Sequence, residues 1–254
     1  MLETRRLTKS FGGLSAVNSL DLHIKAGEII GLIGPNGAGK TTVFNLITGY
    51  IHPSAGEVMF RGENVVGRRP HRIAERGIVR TFQIAKLFRD FTVLQNMLAA
   101  SHLYAGIGFW QGTFRTGHYS KKEEKGLDRA MKSLALVGLE PWRDSIASTL
   151  PHAHQKLLAT AMALAAAPKL LLLDEPLEGM SAEEVDKALQ IIDKIRAQGI
   201  TVLLIEHNMR AVMKICDRIF VLNFGQKIAE GTPEEVKQNK DVIRAYLGAC
   251  EYAD

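Results

Sequence analysis

A glycine-rich segment has the residue types and the spacing of a phosphate-binding loop. It fits the pattern G-x-x-x-x-G-K-[ST] and reads Gly34-Pro35-Asn36-Gly37-Ala38-Gly39-Lys40-Thr41-Thr42. Glycines let successive backbone N–H groups curve around phosphate oxygens, and the N-terminal end of a following helix attracts the same anion. We expect Lys40 to reach the β- and γ-phosphates of a nucleotide and Thr41 to bind Mg²⁺. This phosphate loop (residues 34–42) therefore predicts a site for Mg-ATP.

Two carboxylates follow an apolar run and could form the metal side of that site. Four leucines at residues 170–173 lead directly into Asp174 and Glu175. Ligands of open α/β sheets bind at the carboxyl ends of the strands. We predict that Asp174 holds Mg²⁺ through a water and that Glu175 polarises the attacking water as general base. A solvated strand end or a helix cap would explain an Asp-Glu pair by itself, but the phosphate loop favours the functional interpretation.

Two further polar residues follow short apolar segments. His207 comes after the apolar residues 202–205, and Gln83 comes shortly after residues 77–79. We predict that His207 lies where the γ-phosphate binds and that Gln83 contacts both the metal and the attacking water. Without the phosphate loop, a structural histidine and a surface glutamine would explain the same two residues.

The strands that must position these residues show two patterns. Residues 29–33, 170–173 and 202–205 are continuous apolar runs, which is typical of strands buried on both faces of a parallel sheet. Near the N-terminus, apolar residues at 20, 22 and 24 alternate with polar ones, and residues 57–60 precede a turn at residues 61–64. The sequence therefore predicts an α/β core with an antiparallel edge sheet.

The connecting segments carry helical patterns. Ser181 and Glu184 form a capping box, Gly199 lies where a C-cap is expected, and the apolar face between them consists of Val185, Leu189, Ile192 and Ile195. Residues 84–167 have helical periodicity, in 121–139 and 155–166, and no strand pattern. We predict a helical subdomain at 84–167, inserted into a core formed by residues 1–83 and 168–254, all within one domain.

A segment inside that subdomain, residues 101–117, is rich in glycine and aromatic residues: Tyr104, Phe109, Trp110 and Phe114. One interpretation is a loop that contacts a partner or the bilayer surface. The other is an insertion whose aromatic side chains pack on the subdomain itself.

Composition limits the class of protein. The chain has 254 residues, 46% of them hydrophobic and 23% charged, which excludes disordered and collagen-like classes. Its two cysteines cannot form a disulfide framework, and the first residues lack the apolar region of a signal peptide. We therefore expect a cytoplasmic protein. The formal charge of +5 favours anionic ligands (nucleotide, nucleic acid or the inner membrane leaflet) or reflects solubility alone.

Taken together, the phosphate loop, Gln83, Asp174-Glu175, His207 and the helical insertion resemble the ATP-binding subunits of ABC transporters, over essentially the whole chain. The resemblance narrows to the ATPases of branched-chain amino acid importers, on the insertion at 101–117 and on the segments FGGLSAVN (11–18), VRTFQ (79–83), LFR (87–89) and DVIRAYLG (241–248). It implies a P-loop NTPase (RecA-like) core with an N-terminal antiparallel β subdomain and an inserted α-helical subdomain.

The resemblance also implies roles for further residues. Phe11 matches the aromatic residue that stacks on adenine, although a core phenylalanine is the alternative. Residues 177–181 match the family's intersubunit loop, and His207 matches its switch histidine. Two such subunits are expected to enclose two ATP molecules, with each subunit completing the other's site.

One segment departs from the family pattern. The signature Leu-Ser-Gly-Gly-Gln, which contacts the partner's γ-phosphate, here reads Leu150-Pro151-His152-Ala153-His154. Proline lacks the serine hydroxyl donor, and alanine places a methyl group where glycine permits close approach to phosphate. The following helix still directs its dipole at the anion, and protonated His152 or His154 could compensate. We predict intact ATP binding with weak or altered hydrolysis. Alternatively, this signature segment (residues 150–154) is a working variant.

These observations lead to one main functional hypothesis and several alternatives. The chain is expected to energise an importer as a homodimer or heterodimer, bound to membrane permeases on the inner face of the cell membrane, with no nucleic acid partner. The alternatives are a subunit of a lipopolysaccharide-type exporter, a soluble ABC ATPase that acts on nucleic acid or ribosomes, and a nonhydrolytic partner in a heterodimer. The choice of transported substrate is not encoded in this chain.

Overall fold

The computed structural model describes residues 1–81, 87–104 and 117–247. Its strands, in chain order, are β1 (Leu2–Phe11), β2 (Leu14–Ile24), β3 (Ile29–Ile33), β4 (Ala55–Phe60), β5 (Glu63–Asn64), β6 (Ile78–Arg80), β7 (Leu170–Asp174), β8 (Thr201–Ile205), β9 (Arg218–Asn223) and β10 (Gln226–Gly231). The helices are α1 (Lys40–Ile47), α2 (Pro70–Glu75), α3 (Val93–Tyr104), α4 (Gly117–Val137), α5 (His152–Ala165), α6 (Ala182–Ala197), α7 (Met209–Ile215), α8 (Pro233–Gln238) and α9 (Lys240–Leu247).

The strands form two sheets. The central sheet has the order β10-β9-β3-β8-β7-β6, and β3, β8, β7, β6 and β9 are paired in parallel. All residues of β3, β7 and β8 are buried, which confirms the three buried parallel strands predicted from the continuous apolar runs. In the register of the sheet, Leu32 of β3 and Asp174 of β7 both pair with Ile205 of β8. The carboxyl ends of the three strands therefore meet at one edge.

The second sheet is antiparallel and has the order β2-β1-β4-β5, as expected near the N-terminus. The predicted turn at residues 61–64 was too long. Arg61 and Gly62 alone form the turn, with φ of 52° and 87°, and Glu63–Asn64 pairs back onto β4 as β5. Two positive φ values are typical of the tight hairpin turns that match strand twist.

Hydrophobic clusters cover both faces of the central sheet. Alternate residues of β7 point in opposite directions, so that Leu171 and Leu173 join one cluster while Leu170 and Leu172 join the other. The first cluster includes residues of α5, α6 and α7, and the second includes α1 and the antiparallel sheet. Burial on both faces holds the strand ends of the sheet rigidly.

The predicted helix after residue 181 is α6, and its capping box is present. The Ser181 hydroxyl accepts a hydrogen bond from the Glu184 N–H, and the Glu184 carboxylate accepts one from the Ser181 N–H at 2.8 Å. Gly199 lies just past the helix with φ of 81°. The four apolar residues predicted for its buried face are buried.

Between β6 and β7 the described residues form helices α3, α4 and α5 and two short 3₁₀ turns. Helix α3 was not anticipated from the sequence, and α5 begins at His152, before the expected start of the periodic segment. Most of the insertion at 101–117 lies outside the described residues, and the assignment of residues 84–167 to a subdomain stays a prediction. Among the helices that the structure describes, none is both long and apolar enough to cross a membrane.

Candidate functional site

The phosphate loop connects the end of β3 to the start of α1, and close packing requires two of its glycines, Gly34 and Gly39. A Cβ atom on Gly34, which has φ of 151°, would lie 2.1 Å from the Leu222 carbonyl oxygen. A Cβ on Gly39, which has φ of 101°, would lie 2.4 Å from the Ala16 carbonyl oxygen. Any other residue at these two positions would push the loop away from β9 and β2.

Hydrogen bonds hold the same loop. The Gly225 N–H, in the turn between β9 and β10, donates to the Ala38 carbonyl at 3.0 Å. Lys40 is only 6% exposed, and its ammonium donates to the Gly34 and Pro35 carbonyls at 2.7 and 3.0 Å. Burial lowers the pKa of Lys40, and the nearby carboxylates of residues 175 and 174 oppose that shift. A buried cation therefore lies within the curve of the loop.

The remaining residues of the phosphate loop line its open side. Asn36, Gly37 and Thr41 are exposed, while Pro35, Gly39 and Thr42 are partly buried. Thr41 lies in the first turn of α1, where free N–H groups and the helix dipole face outward. Exposed backbone and hydroxyl donors above a buried ammonium form a surface suited to a polyphosphate.

Asp174 is the last residue of β7 and is buried. Its Oδ2 atom accepts a hydrogen bond from Arg80 Nη2 at 2.6 Å, and both side chains are 5% exposed. Arg80 lies on the neighbouring strand β6, and its Nη1 atom donates to the Asn45 side-chain oxygen at 2.6 Å. The guanidinium also lies over the Phe44 ring, 5.4 Å from its centroid. Arg80 thus connects the predicted metal carboxylate to helix α1.

Glu175 and His207 are adjacent at the ends of the neighbouring strands β7 and β8. His207 Nε2 lies 3.1 Å from Glu175 Oε1, and the glutamate is mostly buried while the histidine is half-exposed. Glu175 has φ of 50°, a left-handed backbone conformation that residues other than glycine and asparagine rarely adopt. This strained backbone aims the carboxylate across the strand ends toward His207.

A lysine from α5 holds the backbone of Glu175. Lys156 is buried, and its ammonium donates to the Glu175 carbonyl at 2.9 Å and to Glu178 Oε2 at 3.4 Å. Neither Lys156 nor Arg80 was singled out in the sequence as a site residue. A cation at the end of a buried strand, as at Arg80, is the one signal that could have identified a member of this network.

Two further predicted site residues are Phe11 and Gln83. Phe11 ends β1 and is 50% exposed, so it is not a core residue, and Lys9 Nζ lies 4.9 Å from its ring centroid. An exposed ring at a strand end is available for stacking. Gln83 lies outside the described residues, so its contacts with metal and water stay a prediction.

The signature segment forms the start of α5. Pro151 is the N-cap and makes no side-chain cap hydrogen bond, His152 is exposed, and Ala153 is buried. The His154 ring packs against Trp142 with 5.1 Å between ring centroids, and its Nδ1 atom is buried without a hydrogen-bond partner among the described residues. Within the described part of the chain, no hydrogen bond or ion pair joins these residues to the phosphate loop.

The signature segment instead lies beside the predicted intersubunit loop (residues 177–181). A Cβ atom on Gly179 would lie 3.3 Å from the ring of His152. The structure therefore brings the phosphate loop, Asp174, Glu175 and His207 together, and it places His152 next to Gly179.

Comparisons with known proteins identify the family of the chain. The family described as ABC transporter matches residues 17–178, and the family described as branched-chain amino acid ATP-binding cassette transporter matches residues 226–249. The chain is 42% identical over 249 residues to the high-affinity branched-chain amino acid transport ATP-binding protein BraF of Pseudomonas aeruginosa, covering 98% of each protein.

Two further proteins are similar to the chain over nearly its whole length. The chain is 34% identical over 247 residues to the lipopolysaccharide export system ATP-binding protein LptB of Escherichia coli, covering 97% of each. Among solved structures, it is similar to an ATP-binding cassette of an ABC transporter in its ADP conformation, with a TM-score of 0.86, 31% identity and 98% of each chain covered.

Proposed function

Because the chain belongs to the ABC transporter family of ATP-binding proteins, we propose that it hydrolyses Mg-ATP to energise an importer of branched-chain or other hydrophobic amino acids. The observation that carries the proposal is the meeting of three strand ends. The phosphate loop follows β3, Asp174 and Glu175 lie at the end of β7, and His207 follows β8. Open α/β sheets bind ligands at this end of their strands.

The side chains beside the phosphate loop fit a magnesium ion. Thr41 offers an exposed hydroxyl on α1, and Asp174 offers a carboxylate close enough to Lys40 to affect its pKa. Mg²⁺ prefers oxygen ligands and is usually held by one or two protein groups together with phosphates. Thr41 and Asp174 would hold the ion, with Gln83 as a third group. Bound there, Mg²⁺ neutralises charge on the phosphate oxygens.

The chain's own residues supply positioning and proton transfer. Lys40 and the loop N–H groups bind the β- and γ-phosphates, and Phe11 stacks on adenine. Glu175 accepts a proton from the attacking water, and His207, 3.1 Å from it, orients that carboxylate and contacts the γ-phosphate. General base catalysis of this kind contributes about 10²–10⁴-fold in rate.

A second ATPase subunit completes the site in this proposal. The open start of α5, with His152 exposed beside Gly179, supports an interface that reaches a nucleotide bound to the partner. The arrangement is a homodimer or a heterodimer, and in a heterodimer the altered signature segment would suit a partner with reduced hydrolysis.

Permease subunits are the proposed membrane partners, with the chain in the cytoplasm on the inner face of the cell membrane. An exposed apolar patch supports a docking surface. The exposed side chains of Phe88 and Phe91 are stacked with 5.3 Å between ring centroids. Ile146, also exposed, forms an isolated antiparallel β-bridge with Thr92, the residue after Phe91. Exposed apolar patches of this kind mark protein interfaces.

Export of a lipopolysaccharide-type substrate is the second candidate, because LptB is 34% identical. The higher identity to BraF and the match of residues 226–249 to the branched-chain amino acid family favour the importer.

The substitution Glu175→Gln tests the hydrolytic mechanism. The amide cannot act as a base, so ATP turnover should fall about 10²–10⁴-fold while ATP affinity measured by calorimetry changes little. Glu183→Gln is the matched control, because Glu183 is an exposed glutamate on α6 whose partner is Lys187. Undiminished turnover in Glu175→Gln would remove that residue from the mechanism.

Transport itself is tested in cells that lack the gene for this chain. Uptake of labelled leucine should be restored by the unaltered protein and not by Glu175→Gln. Restored lipopolysaccharide export without restored leucine uptake would support the second candidate instead.

A further inference from the structure

A buried carboxylate that is not part of the predicted site joins the two catalytic loops. Glu206 follows β8 and is 4% exposed. Its Oε1 atom accepts the Leu177 N–H at 2.7 Å, and its Oε2 atom accepts the N–H groups of His207 at 3.1 Å and Asn208 at 3.3 Å. Leu177 belongs to the loop that follows Glu175, so one side chain bridges the loop of the general base and the loop of the switch histidine.

Burying the Glu206 carboxylate has a free-energy cost, because the group loses its hydration. Burial raises the pKa of Glu206, while the backbone N–H groups of the three residues and the positive charge of Lys156 oppose the shift. Hydrogen bonds from N–H groups to an ionised acceptor are about twice as strong as neutral ones. Glu206 therefore loses contact with water on burial and gains strong, directional hydrogen bonds to both loops.

The loop that Glu206 holds is strained. Glu175 has a φ of 50°, and such a conformation persists only where the surroundings enforce it. Hydrogen bonds on both sides of this residue do so. On one side the Glu175 N–H donates to the Ile205 carbonyl at 2.9 Å; on the other, Lys156 donates to the Glu175 carbonyl at 2.9 Å and Glu206 accepts the N–H two residues later. Without Glu206, Leu177 N–H loses its acceptor and the loop is released on one side.

We propose that Glu206 is a positioning residue, whose buried carboxylate fixes the 3.1 Å spacing between Glu175 and His207 by binding the backbone of both loops. This inference rests on the proposed ATPase function for its kinetic consequence. Its structural consequence concerns the protein without nucleotide and is measured independently.

Amide hydrogen exchange of the nucleotide-free protein tests the structural part. Replacing Glu206 by Ala should accelerate exchange about ten- to hundredfold in peptides that contain Leu177 and Asn208, the effect expected from loss of charge-assisted hydrogen bonds. Glu206→Gln, which keeps one acceptor oxygen, should give an intermediate acceleration. Circular dichroism establishes that each variant is folded, and Glu206→Gln keeps the test valid should the alanine variant not fold.

ATP kinetics test the functional part. Both variants should lower kcat, by about ten- to hundredfold for alanine and less for glutamine, while KM for ATP stays within about twofold. Asp217→Ala is the control at the opposite end of the sheet: Asp217 Oδ2 also accepts a backbone N–H, from Ile29 at 2.8 Å, but its side chain is exposed and pairs with Arg196. It should accelerate exchange at Ile29 without lowering kcat.

Three results would overturn the proposal. Unchanged exchange in both loops of Glu206→Ala and Glu206→Gln would show that the carboxylate does not hold them. An equal fall of kcat in Asp217→Ala would show that Glu206 contributes only to general stability. A raised KM with unchanged kcat in the Glu206 variants would show that Glu206 acts as a nucleotide contact. If the unaltered protein does not hydrolyse ATP, the proposed function fails, whereas the exchange result still decides whether Glu206 positions the loops.

Discussion

The phosphate loop and the signature segment are both loop-to-helix junctions, yet the chain prepares them very differently. At the phosphate loop, Gly34 and Gly39 pack against backbone carbonyls, and Lys40 is buried with two hydrogen bonds. At the signature segment, Pro151 caps α5 without a side-chain hydrogen bond and His152 is exposed. The first junction is held by contacts within the chain, while the second begins with two exposed residues, Pro151 and His152. In the proposed dimer, one subunit would therefore fix one half of each ATP site by itself.

We call the phosphate loop with Asp174 and Glu175 the prepared half, and the signature segment the open half. The largest expected effect concerns the ion pair between Arg80 and Asp174 in the prepared half. Arg80→Gln leaves Asp174 buried without its cation, and breaking such a pair typically costs about 3–5 kcal/mol of stability. Chemical denaturation followed by circular dichroism measures the loss. Arg218→Gln is the matched control, because Arg218 also lies over a phenylalanine ring and pairs with Glu28 and Glu230, but is partly exposed. Equal losses in both variants would show that the ion pair at the site has no special weight.

The next effect concerns ligand affinity at the same half. Lys40→Ala removes a cation that is already positioned under the loop, so ATP affinity should fall by about 1.5–3 kcal/mol, which is roughly 10- to 150-fold. Titration calorimetry with ATP measures it, and Lys132→Ala, at an exposed lysine paired with Asp128, is the control. An unchanged affinity would mean that the loop is not the phosphate site.

The pH dependence of ATP binding is a second test of the role of Lys40. Burial lowers the pKa of Lys40, so the free protein loses this proton at a lower pH than an ordinary lysine does. The triphosphate favours the charged form, and ATP affinity should therefore decline as pH rises through the lowered pKa, by at most about tenfold per pH unit. Calorimetry across an alkaline pH series measures the decline. In Lys40→Arg, where the side chain stays protonated, affinity should remain level; a decline of the same size would assign it to another group.

The prepared half was largely predictable from the sequence, and the reason is local. A phosphate loop is a short pattern between a strand and a helix, and the Asp174-Glu175 pair follows a run of four leucines. By contrast, the groups that hold these residues act across the fold. Arg80 meets Asp174 from 94 residues away, and Glu206 meets Leu177 from 29 residues away. Contacts at such separations leave no periodic signal in a single sequence.

Helix α3 was missed for a different reason. Sequence periodicity detects a helix by its contrast between a buried and an exposed face. In the stretch from Val93 to Ala100 only Gln95 is exposed, so no amphipathic stripe is present. A helix that is covered on nearly all sides has the same apolar composition as other buried segments.

The smallest expected effect concerns the open half and tests whether its sequence limits hydrolysis. Ala153 is 8% exposed at the second position of α5, so only a small part of its methyl group can meet a ligand outside the chain and the expected effect is small. Ala153→Gly should raise ATP turnover by roughly two- to tenfold, the equivalent of one ordinary hydrogen bond of about 0.5–1.5 kcal/mol, because a phosphate oxygen could then approach the helix backbone. Steady-state turnover measures the change.

The helix itself should lose about 0.5–1 kcal/mol of stability in this variant. Ala161→Gly, at another buried position of the same helix, carries that cost without altering the signature segment and is the control. Turnover that rises only in Ala153→Gly would identify the methyl group as a steric limit. If neither variant raises turnover, the Ala153 methyl group does not limit hydrolysis.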